Sequence, residues 1–174
     1  MKNDNGGFFK MKLYNGRNVE IKNPKILESD RKLDFGTGFY LTTSYEQAEK
    51  WAVLTAKRRN YGKPFISVFE YDEESVNELS VLKFQNADEK WLRFVSANRK
   101  NLSVKNDYDV VIGPAANDRT MPVISLFFAG VYTEEETVKR LLPQKLKDQI
   151  VFKTKKSLQY LKFVEVVEVN KNDK

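Results

Sequence analysis

The amino-acid sequence predicts a single α+β domain built on a largely antiparallel β-sheet. Short apolar segments with strand-like alternation are mixed with a few segments of helical period, and they do not follow the regular strand–helix–strand order of α/β proteins. The chain has 174 residues, which suits one compact domain, and its apolar content of 41% suits a folded protein. We expect the domain to span residues 8–169, with flexible ends at residues 1–7 and 170–174.

The first half of the chain predicts several strands and one long helix. Apolar and lysine side chains alternate over residues 9–13, as they do in a half-buried strand, and residues 19–21 suggest a second short extended piece. Ser44 and Gln47 have the spacing of a capping box, so a helix should begin there and continue through Ala56. Further strands are predicted at residues 39–42, 65–71 and 81–84.

The second half of the chain predicts four helices and three strands. Residues 121–129 are almost entirely apolar, which predicts a buried helix. Thr133 and Glu136 repeat the capping-box spacing, so another helix should begin after Thr133. Helices are also predicted at residues 91–99 and 154–161, and strands at residues 109–112, 150–152 and 163–169.

The chain contains no cysteine and no histidine, which excludes many kinds of chemistry. Disulfides, thiolate zinc sites, cysteine nucleophiles and serine–histidine–aspartate triads are all ruled out. Any reaction must therefore use carboxylates, amides, hydroxyls, lysine, arginine and a bound cofactor, and we expect no metal site.

The formal net charge of +6 favours an anionic partner such as a nucleotide or a nucleic acid. The densest basic cluster, residues 57–59, closes the first predicted helix, where cations offset the helix dipole, so a solvated helix end is the favoured interpretation there. The longest apolar run, residues 121–131, is far shorter than a membrane span. We therefore expect no membrane partner and a cytoplasmic location, which leaves delivery into another cell open.

Residues 13–16 (LYNG) form the first candidate binding motif. Asn15 can donate and accept hydrogen bonds together, so its side chain can hold a ribose hydroxyl. Gly16 would let a ligand lie against bare backbone N–H and C=O groups. An Asn-Gly pair is also typical of tight turns, and on spacing alone a turn is the favoured interpretation.

Residues 36–43 (GTGFYLTT) form the second candidate motif. Two glycines precede an aromatic strand, which permits close approach by a flat ligand, and Tyr40 is available to stack on it. The motif differs from a Rossmann dinucleotide-binding motif because the third glycine is missing and no strand precedes the first. The alternative is a bulged hairpin entry with Tyr40 in the core.

Two later segments place polar side chains beside predicted buried strands. Asp148 and Gln149 open the segment DQIVF, where either a catalytic group or a structural turn would fit. Asp118 and Arg119 follow a strand and a Gly-Pro turn, so they would lie beside a phosphate or form a surface salt bridge.

Taken in order, these motifs resemble the H-Y-E type of the ADP-ribosyltransferase superfamily. That type has a His-Gly pair on its first strand, a G-x-G/A-x-Y stretch next and a glutamate opening a later strand. The segments LYNG, LDFGTGFYLTTSYEQAEKWA, WLRFVSANR, DYDVVIGPAANDR and QIVFKT also resemble a family of small bacterial and phage proteins assigned to that superfamily, some of them suspected toxin–antitoxin components. The resemblance implies an ADP-ribosyltransferase-like fold, with a split, largely antiparallel sheet flanked by helices.

The resemblance also implies a site for NAD⁺, which is the substrate of this superfamily. Asn15 takes the histidine position and would bond a ribose hydroxyl, while the backbone of Gly16 would contact the nicotinamide carboxamide. Tyr40 would stack on the nicotinamide ring, and Gln149 falls at the position of the catalytic glutamate. The residues implied to bind NAD⁺ are Tyr14, Asn15, Gly16, Gly38, Phe39, Tyr40 and Thr42, and the implied catalytic set is Asn15, Tyr40 and Gln149.

Two residues depart from the superfamily pattern, namely Asn15 for histidine and Gln149 for glutamate. A carboxylate at position 149 would stabilise the positive charge that develops on the ribose, and loss of one such electrostatic group commonly costs about 3–4 kcal/mol. Asp148 or Asp118 would have to supply that charge instead. We therefore expect a mono-ADP-ribosyltransferase that uses NAD⁺ to modify a protein or nucleic-acid acceptor. One form of this hypothesis is that the protein is a toxin with an antitoxin partner.

Two alternatives come from other functional classes. The first is a catalytically silent member of the same fold that binds a nucleotide or a protein partner. The second is a basic nucleic-acid-binding domain that does not use NAD⁺.

Overall fold

The computed structural model describes residues 10–28 and 32–170, except for the side chains of residues 74–76. The strands are β1 (Lys10–Arg17), β2 (Phe39–Leu41), β3 (Phe65–Asp72), β4 (Val81–Lys83), β5 (Val110–Pro114), β6 (Asp148–Phe152) and β7 (Leu161–Glu168). The helices are α1 (Tyr45–Arg59), α2 (Glu89–Arg99), α3 (Met121–Phe128), α4 (Glu134–Leu141) and α5 (Lys155–Leu158), and Glu73–Glu78 forms a 3₁₀ helix. The strand start predicted at Phe9 and the flexible ends predicted at residues 1–7 and 170–174 lie outside the described residues, apart from Asn170.

The strands form two sheets whose backbones are joined by one bridge in the described residues. The first sheet has the order β1-β3-β7 and is antiparallel throughout, and the second has the order β2-β6-β5-β4. Within the second sheet, β6 runs antiparallel to both neighbours, while β4 and β5 are parallel. An isolated bridge joins the sheets, with Tyr14 and Thr42 exchanging N–H···O bonds of 2.9 and 3.0 Å. The predicted α+β class with a largely antiparallel sheet is confirmed.

The two faces of the second sheet contribute to separate hydrophobic cores. On one face, Val151 packs with Phe35, Trp91 and side chains from α2, α3 and α4. On the other face, Ile150 and Phe152 pack with side chains from the first sheet. The alternation along β6 follows the two-residue period of a strand. A third cluster of small and branched side chains holds α1 against the first sheet.

Helix α3 differs from the buried helix that its apolar sequence predicts. Within Met121–Phe128 only Ile124 is fully buried, while Leu126 is 37% exposed. Met121, Val123, Phe127 and Phe128 are half-buried against the core that contains Ile124, so the helix packs on one face and is exposed on the other. The apolar content of this segment therefore predicted a helix correctly, but the prediction that the helix is buried was wrong for most of its residues.

Residues 19–21 form no strand, in contrast to the prediction. The N–H of Ile21 donates to the side-chain hydroxyl of Ser67 on β3 at 3.0 Å, so it does not take part in a strand ladder. The predicted helix starts are confirmed, since Ser44 and Thr133 accept from the N–H groups of Gln47 and Glu136. The side chain of Gln47, however, does not complete a capping box and is used elsewhere.

Candidate functional site

Asn15 lies within β1, close to the point where β1 separates from β2. It pairs with Ser67 on β3, so the tight-turn interpretation of Asn15 and Gly16 is wrong. The side chain is 3% exposed, and its Nδ2 donates to the carbonyl oxygen of Tyr40 at 2.8 Å. Its Oδ1 is buried and accepts no hydrogen bond. A buried acceptor without a donor costs about 1–3 kcal/mol, so this oxygen marks a place that a ligand donor could fill.

Gly16 is required by the packing of helix α1. A Cβ atom at this position would collide with the carbonyl oxygen of Ala48 in α1. Backbone groups of alternate residues in a strand point to the same side, and those of Tyr14 point at Thr42 in the second sheet. The N–H and C=O of Gly16 therefore point in that same direction, into the opening between β1 and β2. The side chain of Tyr14 packs edge-to-face on Tyr45 with centroids 5.3 Å apart.

Tyr40 belongs to the core in this structure. Its ring packs against the cluster around Phe35 and Trp91. This is the core position that the sequence left as the alternative to a stacking role. The hydroxyl donates to the carbonyl of Gly36 at 2.6 Å and accepts from the N–H of Phe35 at 3.1 Å. Burial raises the pKa of the Tyr40 hydroxyl well above its usual range. Its partners are therefore the residues of the preceding turn, and stacking on a ligand stays a prediction.

The other members of the glycine-framed segment also have structural partners. Gly36 has a φ of 76°, a left-handed conformation that favours glycine. A Cβ at Gly38 would collide with a methyl group of Val151 on β6. Phe39 is 6% exposed and packs edge-to-face on Phe69 at 5.7 Å. Turn geometry and packing thus account for both glycines.

Lys153, directly after β6, hydrogen-bonds to the turn that precedes β2. Its Nζ donates to the carbonyl oxygens of Phe35 and Thr37, both at 2.7 Å. Burial lowers the pKa of Lys153 to about 8. The turn before β2 is therefore held by a lysine whose pKa is lower than that of an ordinary lysine side chain.

Gln149 lies on β6 in a buried polar network. It is 3% exposed, and its Nε2 donates to Asp34 Oδ2 at 3.0 Å and to the carbonyl of Pro114 at 3.2 Å. Asp34 also accepts from Arg99 Nε at 2.6 Å and from the N–H of Ala116 at 3.3 Å. We call these three side chains, Asp34, Arg99 and Gln149, the Asp34 network. Each has a partner of complementary chemistry, as buried polar groups require.

Asp148, one of the two proposed sources of a carboxylate, lies on the opposite face of β6 and holds the segment that follows β2. Its carboxylate accepts from Thr42 Oγ1 at 3.0 Å, Thr43 N at 2.9 Å and Thr43 Oγ1 at 2.7 Å. Gln47 Nε2 donates to the Asp148 carbonyl at 2.7 Å and to Thr42 Oγ1 at 3.1 Å. Thr42 is fully buried among these bonds, so its hydroxyl stabilises the junction. Asp118, the other proposed carboxylate, lies in an exposed turn.

A cavity of about 290 Å³ lies beside Asp148. Its wall combines residues of both sheets and of the loops near them, among them Met11, Thr43, Tyr71, Lys83, Gly113 and Asp148. Burial raises the pKa of the Tyr71 hydroxyl to about 12, so this group is a neutral donor at physiological pH. The wall therefore combines polar groups, among them Asp148 and Tyr71, with apolar side chains such as Met11.

The structure brings some of the predicted site residues together and separates others. Asn15 contacts the backbone of Tyr40 directly, and Tyr40 and Gln149 both contact the segment that contains Asp34. The pairing of Asp34 with Arg99 was not predicted from the sequence, because 65 positions separate the two residues and no local spacing connects residues so far apart. The one available signal was an aspartate directly before the apolar Phe35.

A family model described as "Protein of unknown function (DUF3990)" matches residues 11–163. The chain belongs to that family. The match extends from β1 into β7, so every residue predicted for the site falls inside the part that defines the DUF3990 family. No curated protein and no solved structure matches the chain.

Two further findings concern the described part of this DUF3990 protein. None of the helices described is long and apolar enough to cross a bilayer. Within residues 10–28 and 32–170, no three carboxylates come close enough to hold a metal ion.

Proposed function

We propose that this protein is an NAD⁺-dependent mono-ADP-ribosyltransferase that modifies a protein or nucleic-acid acceptor. The observation that carries the proposal is the buried Oδ1 of Asn15, an acceptor held without a donor at the opening between the two sheets. A ribose hydroxyl is a donor of the kind that this oxygen lacks. The resemblance of the LYNG and GTGFY motifs to the superfamily supports the choice of NAD⁺ over other ribose-containing ligands.

The backbone of Gly16 supports the same placement. Its N–H and C=O point into the opening, where they could pair with the two groups of a primary carboxamide such as that of nicotinamide. Beyond the bridge between Tyr14 and Thr42 the backbones of β1 and β2 do not pair, and the side chain of Asn15 makes the contact with Tyr40 instead. In this proposal Tyr40 stacks on the nicotinamide ring only after its hydroxyl leaves Gly36 and Phe35.

The proposed reaction transfers ADP-ribose without a redox step. The bond between the nicotinamide nitrogen and ribose C1′ breaks, and its electron pair leaves with neutral nicotinamide. The nucleophilic atom of the acceptor forms a bond to C1′ and releases its proton. Of the two carboxylates near the junction, Asp148 lines the cavity and Asp34 is paired with Arg99, so Asp148 is the better source of negative charge. We further propose a cytoplasmic site of action and a toxin role that an antitoxin partner would block.

The test compares wild-type protein with Asn15→Leu. Leucine has a similar volume but removes the buried acceptor, so we expect NAD⁺ affinity to fall about tenfold. It also removes the donor to the Tyr40 carbonyl; the loss of that bond offsets the removal of the unsatisfied oxygen, so the free energy of unfolding should change by less than about 1 kcal/mol. Isothermal titration calorimetry measures the affinity, chemical denaturation measures the stability, and a chromatographic assay of released nicotinamide measures the reaction.

Ser67→Ala is the matched control for that variant. Ser67 is 1% exposed and faces Asn15 on the neighbouring strand, but its hydroxyl already accepts from Ile21. We expect this change to lower stability and to leave NAD⁺ affinity within about twofold. Wild-type protein that neither binds at about 1 mM NAD⁺ nor releases nicotinamide would contradict the proposed function.

A catalytically silent, nucleotide-binding protein is the second candidate, and Gln149 favours it. The amide of Gln149 donates to Asp34 and Pro114, so it is committed to the fold and carries no charge. We would expect NAD⁺ to bind without release of nicotinamide, and activity to appear only when Gln149→Glu is combined with Asp34→Asn. Activity in the wild type that is lost in Gln149→Ala would rule this candidate out.

A further inference from the structure

The end of β1 is fixed to the turn that follows α1. Asn18 is 2% exposed, its Nδ2 donates to the carbonyl of Tyr61 at 3.2 Å, and its own carbonyl accepts from Lys63 N at 3.1 Å. Gly62 has a φ of 76°, and a Cβ there would collide with the Asn18 carbonyl oxygen. These contacts hold the side chains that flank them, Arg17 on one segment and Arg59 and Tyr61 on the other, in one place.

The two arginines held in this way carry positive charge, and no carboxylate of the described residues is paired with either of them within 4.0 Å. The Nε of Arg17 is buried and has no acceptor. Burial, followed by the nearby charge of Arg59, lowers the pKa of Arg17. A hydrogen bond with Asn18, together with Arg59 and Arg17, lowers the pKa of the Tyr61 hydroxyl.

The favourable position of cations at a helix end explains only part of this arrangement. Arg59 closes α1, where a positive side chain offsets the helix dipole, as Lys57 also does. Arg17 belongs to a strand, and a buried guanidinium nitrogen without an acceptor has no such explanation. Two positive groups that are close enough to affect each other, as Arg59 affects Arg17, are stabilised when an anion binds near both, and the planar fork of arginine matches phosphate oxygens.

We propose that Arg17, Arg59 and Tyr61 form a phosphate-binding site that holds the diphosphate of the dinucleotide whose ribose Asn15 binds. Arg17 follows Asn15 by two residues, so both side chains lie on the same face of β1, about 7 Å apart along the strand. In a dinucleotide the ribose is joined to the diphosphate through its 5′ oxygen, so neighbouring subsites of this kind are required. The inference rests on the proposed function for the identity of the ligand, but the anion site can be tested separately.

The experiment titrates inorganic phosphate, pyrophosphate, ADP and NAD⁺ into wild-type protein and Arg17→Gln by calorimetry at constant ionic strength. We expect pyrophosphate and ADP to bind more tightly than inorganic phosphate, because a diphosphate can occupy both guanidinium groups. Removing the fork of Arg17 should weaken pyrophosphate, ADP and NAD⁺ by about tenfold or more, the effect of one hydrogen bond to a charged group. Lys57→Gln, which removes one charge from the same helix end, is the matched control and should change these affinities less than twofold.

The outcomes separate this inference from the proposed function. Equal weakening by Arg17→Gln and Lys57→Gln would mean a diffuse basic surface and would overturn the site. Binding of pyrophosphate through Arg17 without binding of NAD⁺ would retain the phosphate site and reject the dinucleotide. Unchanged NAD⁺ affinity in Arg17→Gln would overturn the inference and leave the proposed function intact.

Two additional measurements keep the test decisive. Arg59 is exposed, so Arg59→Gln should fold even if Arg17→Gln does not, and we expect it to weaken pyrophosphate as well. Titration with a single-stranded oligonucleotide tests whether the phosphate that binds here belongs to a nucleic-acid backbone. Tight binding of the oligonucleotide that ADP does not displace would contradict a nucleotide site.

Discussion

The Asp34 network and the end of β1 differ in how their buried polar groups are satisfied. In the Asp34 network, the carboxylate, the guanidinium and the amide each have partners within 3.3 Å. At the end of β1, Asn15 Oδ1 and Arg17 Nε are buried and have none. Satisfied polar groups stabilise a fold, whereas buried groups without partners weaken it unless a ligand supplies what they lack. The comparison therefore separates the residues that hold this molecule together from those that are available for binding.

The largest effect is expected from removing the charge at the centre of the satisfied region. Asp34→Ala leaves the buried side of Arg99 without its carboxylate and Gln149 without an acceptor. We expect the free energy of unfolding to fall by about 3–5 kcal/mol, measured by urea denaturation. Asp118→Ala, at an exposed turn, is the control and should have almost no effect; a loss below about 1 kcal/mol in Asp34→Ala would contradict a structural role for the network.

A smaller effect is expected when the amide of Gln149 is replaced by a carboxylate. Gln149→Glu would place a second negative group at the 3.0 Å contact with Asp34, so we expect a loss of about 2 kcal/mol. Adding Asp34→Asn restores a donor opposite the new carboxylate and should recover about half of the Gln149→Glu loss. A double-mutant cycle of unfolding free energies measures this coupling. Strictly additive losses would show that the two side chains do not interact.

The smallest effect concerns Lys153, whose charge is disfavoured by burial. The pKa of Lys153 in the folded protein is about 8, below that of an unfolded lysine, so above pH 8 the unfolded chain binds more protons at this site. Stability should therefore rise with pH between pH 8 and 10 in the wild type relative to Lys153→Met, by about 1 kcal/mol after allowance for solvent screening. Thermal unfolding across this pH range tests the difference. The exposed Lys155→Met should follow the wild type, and parallel curves for all three proteins would refute the assignment.

Local sequence signals predicted the elements that depend on local interactions. Ser44 and Thr133 were identified as helix starts because a cap and its partner lie within one turn. The alternation along β1 predicted a half-buried strand, in which Leu13 is buried, and the two glycines marked the entry into the strand that begins at Phe39. The class of fold followed from the order of such segments.

The features that the sequence did not predict depend on contacts between distant segments. The burial of Gln149 follows from Asp34 and Arg99, which no periodicity connects to it. Whether Asn15 lay in a turn or a strand was decided by β3, since pairing with Ser67 overrides the turn preference of an Asn-Gly pair. Likewise, only one face of α3 is buried, because that face packs on the core around Ile124 while Leu126 stays exposed.

The bridge between Tyr14 and Thr42 has a mechanical consequence for the whole domain. Within the described residues, the backbone ladder between the two sheets consists of this one pair, and the contacts of Asp148 with Thr42 and Thr43 lie directly beside it. This pair fixes the alignment of one sheet against the other, while the shared packing of Ile150 and Phe152 on the first sheet resists their separation.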